Sequence, residues 1–190
     1  GLVLTVKEDE VDLWRAYARA TGAESRLLVV SPDSPYRFNF LEYECRRPEG
    51  RQTENLVGLF YSILETIEGE DSGTTDSYWG RTLKQLLRNA IDMVAIAEDT
   101  ISLAALEEMV KSAPKSQDDL LSETWRTHSY CYQCLDRGDA RIKSGLVPAS
   151  REKDFMKASS YWMREFPALS DKTRSIIESC FTSMVDSFLR

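Results

Sequence analysis

With 190 residues, 42% hydrophobic and 10% aromatic, the chain has enough apolar side chain for one sizeable core or two small lobes, which excludes disorder as its default. A formal net charge of −7 excludes a surface that wraps duplex nucleic acid over its whole area, because phosphate binding needs a concentrated positive field, though a local basic patch stays open. No apolar run approaches the roughly 20 residues needed to cross a bilayer, no leader pattern marks a signal peptide, and four irregularly spaced cysteines read as reduced, intracellular thiols rather than a disulfide framework.

The chain opens at Gly1 directly into an apolar stretch, and this predicts a fragment of something larger. Leu2, Val3, Leu4 and Val6 predict a short buried strand, with a turn at 7–9. Val11, Leu13, Trp14, Tyr17 and Ala18 then share one side of a helix that ends near Gly22, a residue suited to the left-handed position beyond a helix end. Residues 26–30 predict a second apolar strand, closed at 31–35 by a turn containing Pro32, Asp33 and Pro35. Strand, helix and strand in this order make one βαβ unit, right-handed with parallel strands. Two strands do not make a stable parallel sheet, so the unit is expected to need partners from outside the chain.

Residues 36–43 are rich in aromatics and predict a short extended segment, and 48–52 a polar linker. Past the linker the periodicity becomes helical. Leu56, Val57, Leu59, Phe60, Ile63, Leu64 and Ile67 line one face over 54–68, and 69–75 is an acidic loop. The longest regular pattern follows at 76–97. There Leu83, Leu86, Leu87, Ala90, Ile91, Val94 and Ala95 recur at steps of three and four, behind Asp76 and Ser77 as cap candidates. This helix is expected to organise the others. Ser102 caps a further helix with Leu103, Leu106, Met109 and Val110 facing inward, stopped by Pro114. A helix at 122–135, a loop at 143–150 and helices at 152–166 and 171–189 complete the chain. The fold class is therefore mainly α: a βαβ piece at 1–48, then an all-α domain at 53–190.

On the organising helix Arg81, Lys84 and Arg88 fall at i, i+3 and i+7, which lines three cations along one solvent-facing ridge. That ridge is a candidate contact for nucleic acid or other anionic cargo; its plainer reading is a solvated face with local acidic partners such as Asp92. His128, Cys131 and Cys134 have zinc-like spacing, since thiolates two residues apart can share one tetrahedral ion. A structural site needs a fourth ligand, and Cys45 and Cys180 are far away in sequence, so they read as ordinary thiols on a helix and no metal is assigned. His128 is the one histidine and has no Ser and Asp pattern around it, so no catalytic residue is assigned either. The acidic runs at 8–10 and 68–71 read as solubilising turns. No G-x-x-x-x-G-K-[ST] loop occurs, and 94–99 is helical in period despite its resemblance to an apolar strand ending in acids. This chain alone is expected to bind no cofactor and to hydrolyse no nucleotide.

The order of features resembles one family. Residues 2–7, LVLTVK, and the acidic helix behind them look like the strand and lysine that follow the Walker A helix in type IV secretion coupling proteins, the conjugative DNA-transfer ATPases of the FtsK/HerA-like group. LVVSPD at 28–33 and RFNFL at 37–41 look like its next strand and Phe-Asn element, with Phe40 where proline is common. Tyr78 and Trp79 before the long helix, residues 101–110, and Thr173, Arg174 and Ser175 before the last helix resemble its inserted all-α domain and the exit from it. The resemblance implies that 1–48 is the edge of a RecA-like nucleotide-binding domain, with both Walker motifs outside this chain. It implies a ring-forming cytoplasmic motor at the inner face of the cell membrane, using ATP and magnesium in the parent protein. The all-α domain would recognise substrate: protein cargo or relaxosome components, single-stranded DNA among the possible ligands, beside secretion-channel ATPases. The rival readings are a free-standing helical protein-interaction scaffold without enzymatic activity and a small zinc-stabilised binding module.

Overall fold

The computed structural model describes residues 1–31, 33–47, 52–68 and 78–189. The chain divides into two compact units, Gly1–Asn39 and Phe40–Arg190. The expected loop at 69–75, the caps Asp76 and Ser77, and most of the linker at 48–52 lie outside the described residues.

In the first unit the helix forms at the expected place, as α1 (Glu8–Ala20). It closes at Gly22, whose φ is 64°; the Gly22 N–H donates to the Arg19 carbonyl at 3.1 Å and the Ala23 N–H to the Ala18 carbonyl at 2.8 Å. These two reversed bonds are the closure that a left-handed residue permits. The flanking strands do not form. Residues 2–6 and 27–30 have no ladder, Glu24–Arg26 is a 3₁₀ turn, and no strand occurs among the described residues. The expected βαβ unit is therefore corrected to a helix between uncovered apolar stretches. The reason is physical: a helix satisfies its backbone within its own segment, whereas a strand needs a neighbouring edge and a covered face. Leu4 is 87% and Leu28 61% exposed, and Ala18 is the one buried hydrophobic residue among the described residues of this unit.

The second unit is built on α4 (Tyr78–Ala97). Its predicted stripe is buried from Leu83 to Val94, with Ala95 half-buried. Thr82, Asn89, Asp92, Met93, Ile96 and Ala97 are buried as well, so the covered face is much wider than the stripe, with Tyr78 and Arg81 left exposed. The covering elements are α3 (Gln52–Glu68), α5 (Leu103–Lys111), α8 (Tyr130–Lys143), α9 (Glu152–Ser160) and α10 (Asp171–Leu189). From α3 come Leu56, Val57, Phe60, Tyr61 and Leu64; Leu59, expected inside, is exposed. From α10 come Ile177, Phe181, Met184 and Val185. The expected extended segment at 36–43 becomes helical in its second half, as α2 (Phe40–Cys45), which packs on α3 through the fully covered Leu41 and the Phe40–Phe60 ring contact.

The expected helix at 122–135 is two helices with another before them: α6 (Gln117–Leu121), α7 (Glu123–His128) and then α8. Ser116, Ser122 and Ser129 cap them in turn, each hydroxyl accepting a backbone N–H three residues on, from Asp119, Trp125 and Tyr132. Serine competes with continuing helix by satisfying these first-turn donors, which is why the chain breaks at Ser122 and Ser129. After α9 one turn widens to a π-helix, Tyr161–Glu165, with the Phe166 N–H reaching back five residues to Tyr161 at 2.8 Å. It presents Trp162 to the core, where the indole N–H donates to the Asn89 carbonyl of α4 at 3.2 Å.

Two substitutions check this packing by urea denaturation. Leu87 is fully buried on α4, so Leu87→Ala should cost about 2–5 kcal/mol through lost transfer energy and the cavity left behind. Gly138 on α8 faces Phe155 of α9 so closely that an added Cβ would lie 2.7 Å from the ring. Gly138→Ala gains about 1 kcal/mol of helix propensity but overpacks the contact at about 1–3 kcal/mol, so a net loss is expected. A raised midpoint for the alanine variant would show that α8 and α9 can separate freely.

Candidate functional site

The three ridge cations stand on α4 as the spacing requires, but two of them turn to α3 rather than to solvent. Arg88 grips the Glu54 carboxylate with two nitrogens, Nε to Oε1 and Nη2 to Oε2, the latter at 2.9 Å. Lys84 Nζ lies 3.7 Å above the Tyr61 ring. Glu54 and Tyr61 are seven residues apart on α3, as Arg88 and Lys84 are four apart on α4, so the cations serve as ties between the two helices. The Glu54 hydrogen bond also pushes the Arg88 guanidinium pKa up. Arg81 is exposed. Asp92, a possible local partner of the ridge by sequence, lies one turn beyond Arg88 and adds to the raising of its pKa, but its carboxylate is buried and bonded to Thr53.

His128, Cys131 and Cys134 are not brought together. His128 is exposed at the end of α7, with Nδ1 3.0 Å from the Thr124 carbonyl, while both thiols are fully covered on α8. Burial pushes both thiols upward in pKa, away from the thiolate that binds metal or attacks a disulfide. Arg137 Nη2 lies 3.8 Å from Cys134 Sγ and 2.5 Å from Glu98 Oε1, which also accepts from the Tyr130 hydroxyl at 2.9 Å. Among the described residues no group of three or more His, Cys, Asp or Glu is placed to hold a metal ion. The described glycines with positive φ are Gly22 and Gly145, and each closes a helix end instead of forming a run of backbone N–H groups around an anion.

Among the described residues the helical unit holds a cleft of about 330 Å³. Glu42 and Cys45 of α2 with Arg46 just after it form one wall, and Arg141 of α8 with residues 146–148 another. Thr53 of α3, Ala95 and Ile96 of α4, and Glu98, Asp99 and Ile101 of the following turn complete it, with Arg151 at the start of α9. Gly145 makes this shape possible. At φ 75° it ends α8 with bonds from its own N–H to Ile142 and from the Leu146 N–H to Arg141, turning the chain back over the cleft.

Beneath the cleft sits Asp92. Thr53 Oγ1 donates to its Oδ1 at 2.6 Å, and Arg151 Nη2 reaches the same oxygen at 3.1 Å while Nη1 lies 3.5 Å from Asp154. Burial raises the Asp92 pKa, against the opposing Thr53 hydrogen bond and the Arg151 charge. Burial likewise pushes the Cys45 thiol up to about 11. Arg141 pairs with Asp99 through Nη1 at 2.9 Å, and its Nε is buried without a hydrogen-bond partner among the described residues. Sequence reasoning missed this constellation. The available signal was Asp92 itself, a carboxylate set between Ile91 and Met93 beside the longest apolar stripe of the chain.

No protein-family model, curated protein or solved structure matches the chain. No helix among the described residues is long and apolar enough to cross a membrane.

Asp92 carries a pH prediction. Its folded pKa is raised, so its contribution to stability is complete below the unfolded carboxyl value of about 4 and is lost as pH rises through the folded value. Asp92→Asn removes that component. Urea unfolding from pH 4 to 7 should therefore show the stability of the natural chain falling relative to the variant as pH rises. A gap that moves the other way would mean that Thr53 and Arg151 outweigh burial.

Proposed function

We infer that residues 40–190 are a substrate-recognition unit of a type IV secretion or conjugation motor, acting by non-covalent binding of cargo rather than by chemistry of their own. The observation that carries the reading is the order of the two units: a helix between uncovered apolar stretches, then a helical unit with its own core around α4. Such an order suits a piece of a sheet domain followed by an inserted all-α domain. Under this reading ATP and magnesium belong to the parent protein. Ring assembly, a place at the inner face of the cell membrane, and contacts with relaxosome components and channel ATPases come with the parent as well.

The second reading, a free-standing helical scaffold, draws on the completeness of the α4-centred core. The coding region around this sequence separates the two. A phosphate loop of the G-x-x-x-x-G-K-[ST] type upstream of Gly1 and an apolar strand ending in acids downstream of Arg190 support the motor, and an open reading frame lacking both overturns it.

Of the cargo classes, protein is favoured over DNA. A phosphate at the ridge has to compete with Glu54 for Arg88 and with Tyr61 for Lys84, in a chain of net charge −7. Fluorescence anisotropy with a labelled oligo-dT across a salt series should give no binding tighter than about 100 μM near 0.15 M salt, equivalent to roughly −5.5 kcal/mol. Arg81→Gln, Lys84→Gln and Arg88→Gln together should then change nothing. Tighter binding by the natural chain, with a salt slope that flattens by roughly two units in the triple variant, would return the ridge to DNA, since about 0.7 counterions are released per phosphate neutralised.

A further inference from the structure

The cleft between α2, the turn after α4 and the loop after α8 has a composition that neither the ridge nor the motor reading uses. Three arginines, Arg46, Arg141 and Arg151, line it over an apolar surface that includes Ile96, Ile101 and Val147. The cations are unequally satisfied: Arg151 is held by Asp92 and Asp154, Arg46 by Glu42, and Arg141 by Asp99 alone. Glu98 is taken up by Tyr130 and Arg137, outside the arginine set. Asp99, the partner of Arg141, has a side chain 89% exposed, and an ion pair at such a position is weak and readily exchanged. Arg141 keeps a buried Nε–H that donates to nothing among the described residues, an unmet donor on a planar fork shaped to hold an oxyanion with two parallel bonds.

We propose that this cleft binds a small organic anion, its carboxylate or phosphate head on Arg141 and Arg151 and its apolar body against Ile96, Ile101 and Val147. The head displaces the exposed Asp99 from Arg141 Nη1 and takes its place there. Arg46, paired at the rim with Glu42, adds positive potential without closing the mouth. The space, about 330 Å³, is at the small end of ligand pockets and suits one ring or a short chain rather than a folded partner. Leu146, 70% exposed at the opening, stands where the body of the ligand enters. The assignment holds whether or not the motor reading does.

Calorimetry on the full chain with phenyl phosphate, phenylacetate, inorganic phosphate and benzyl alcohol tests it. One or both aromatic anions should bind with a Kd on the order of 1 mM, at least roughly ten-fold tighter than either inorganic phosphate or benzyl alcohol, because head and body are both needed. Whichever aromatic anion binds more tightly identifies the head group. Arg141→Gln should weaken binding at least roughly ten-fold by removing the fork. Leu146→Glu, at an exposed position that leaves the fold intact by circular dichroism, should do the same by placing a carboxylate at the mouth. In a Cys180→Ser background the ligand should also slow maleimide labelling of Cys45, which forms part of the cleft wall. No saturation by either aromatic anion up to about 20 mM overturns the proposal. So does equal binding of benzyl alcohol, or binding unchanged in folded Leu146→Glu with Cys45 unprotected.

Discussion

Polar side chains on the faces of a helix that other helices cover must find partners inside the protein, because water does not reach them. That constraint on α4 organises the helical unit. Asn89 and Asp92 are both buried: Asn89 donates to the Gln85 carbonyl and offers its own carbonyl to Trp162, while Asp92 takes Thr53 and Arg151. Neighbours up to 73 residues away in sequence are thus held at defined positions along one helix, and their apolar faces close the core around it. Apolar packing supplies most of the stabilisation, but it is tolerant of sliding, whereas these hydrogen bonds are made in only one register.

The same bonds account for the cleft. Arg151 leads into α9 and is drawn down onto Asp92, Gly145 turns the chain after α8 back toward α4, and Thr53 at the start of α3 completes the underside. A buried carboxylate at the base and arginines around the opening are therefore consequences of how the helices are tied together. Charge one turn earlier on α4 is used differently. Arg88 and Lys84 face α3, where a carboxylate and an aromatic ring take them up, so a pattern that looks like an exposed basic ridge in sequence is an interhelical seam. Spacing along a helix shows that three cations share a face; it does not show what the face meets.

In the first unit the contrast between helix and strand is the informative result. α1 ends at Gly22 with both reversed bonds in place, all from residues within a few positions of one another. Leu2, Leu4, Leu28 and Val30 have the composition of buried strands and are exposed. Their alternation and apolar character state what they would cover, while an edge to pair with has to be supplied from elsewhere in space.

The sequence by itself determined what depends on neighbours along the chain. The helices α1, α3, α4, α5 and α10 follow from apolar periodicity, and Ser102 and Gly22 act at their ends as their side chains dictate. Even the break at Ser129 is written in local chemistry, though it falls inside the helix expected over 122–135. Only the tertiary structure decided that α4 is covered well beyond its apolar stripe, that Asp92 lies beneath a cleft with Thr53 and Arg151, and that Lys84 and Arg88 bind α3. Those outcomes join residues tens of positions apart, and no local rule of period, cap or turn specifies which distant segment will arrive at a given face.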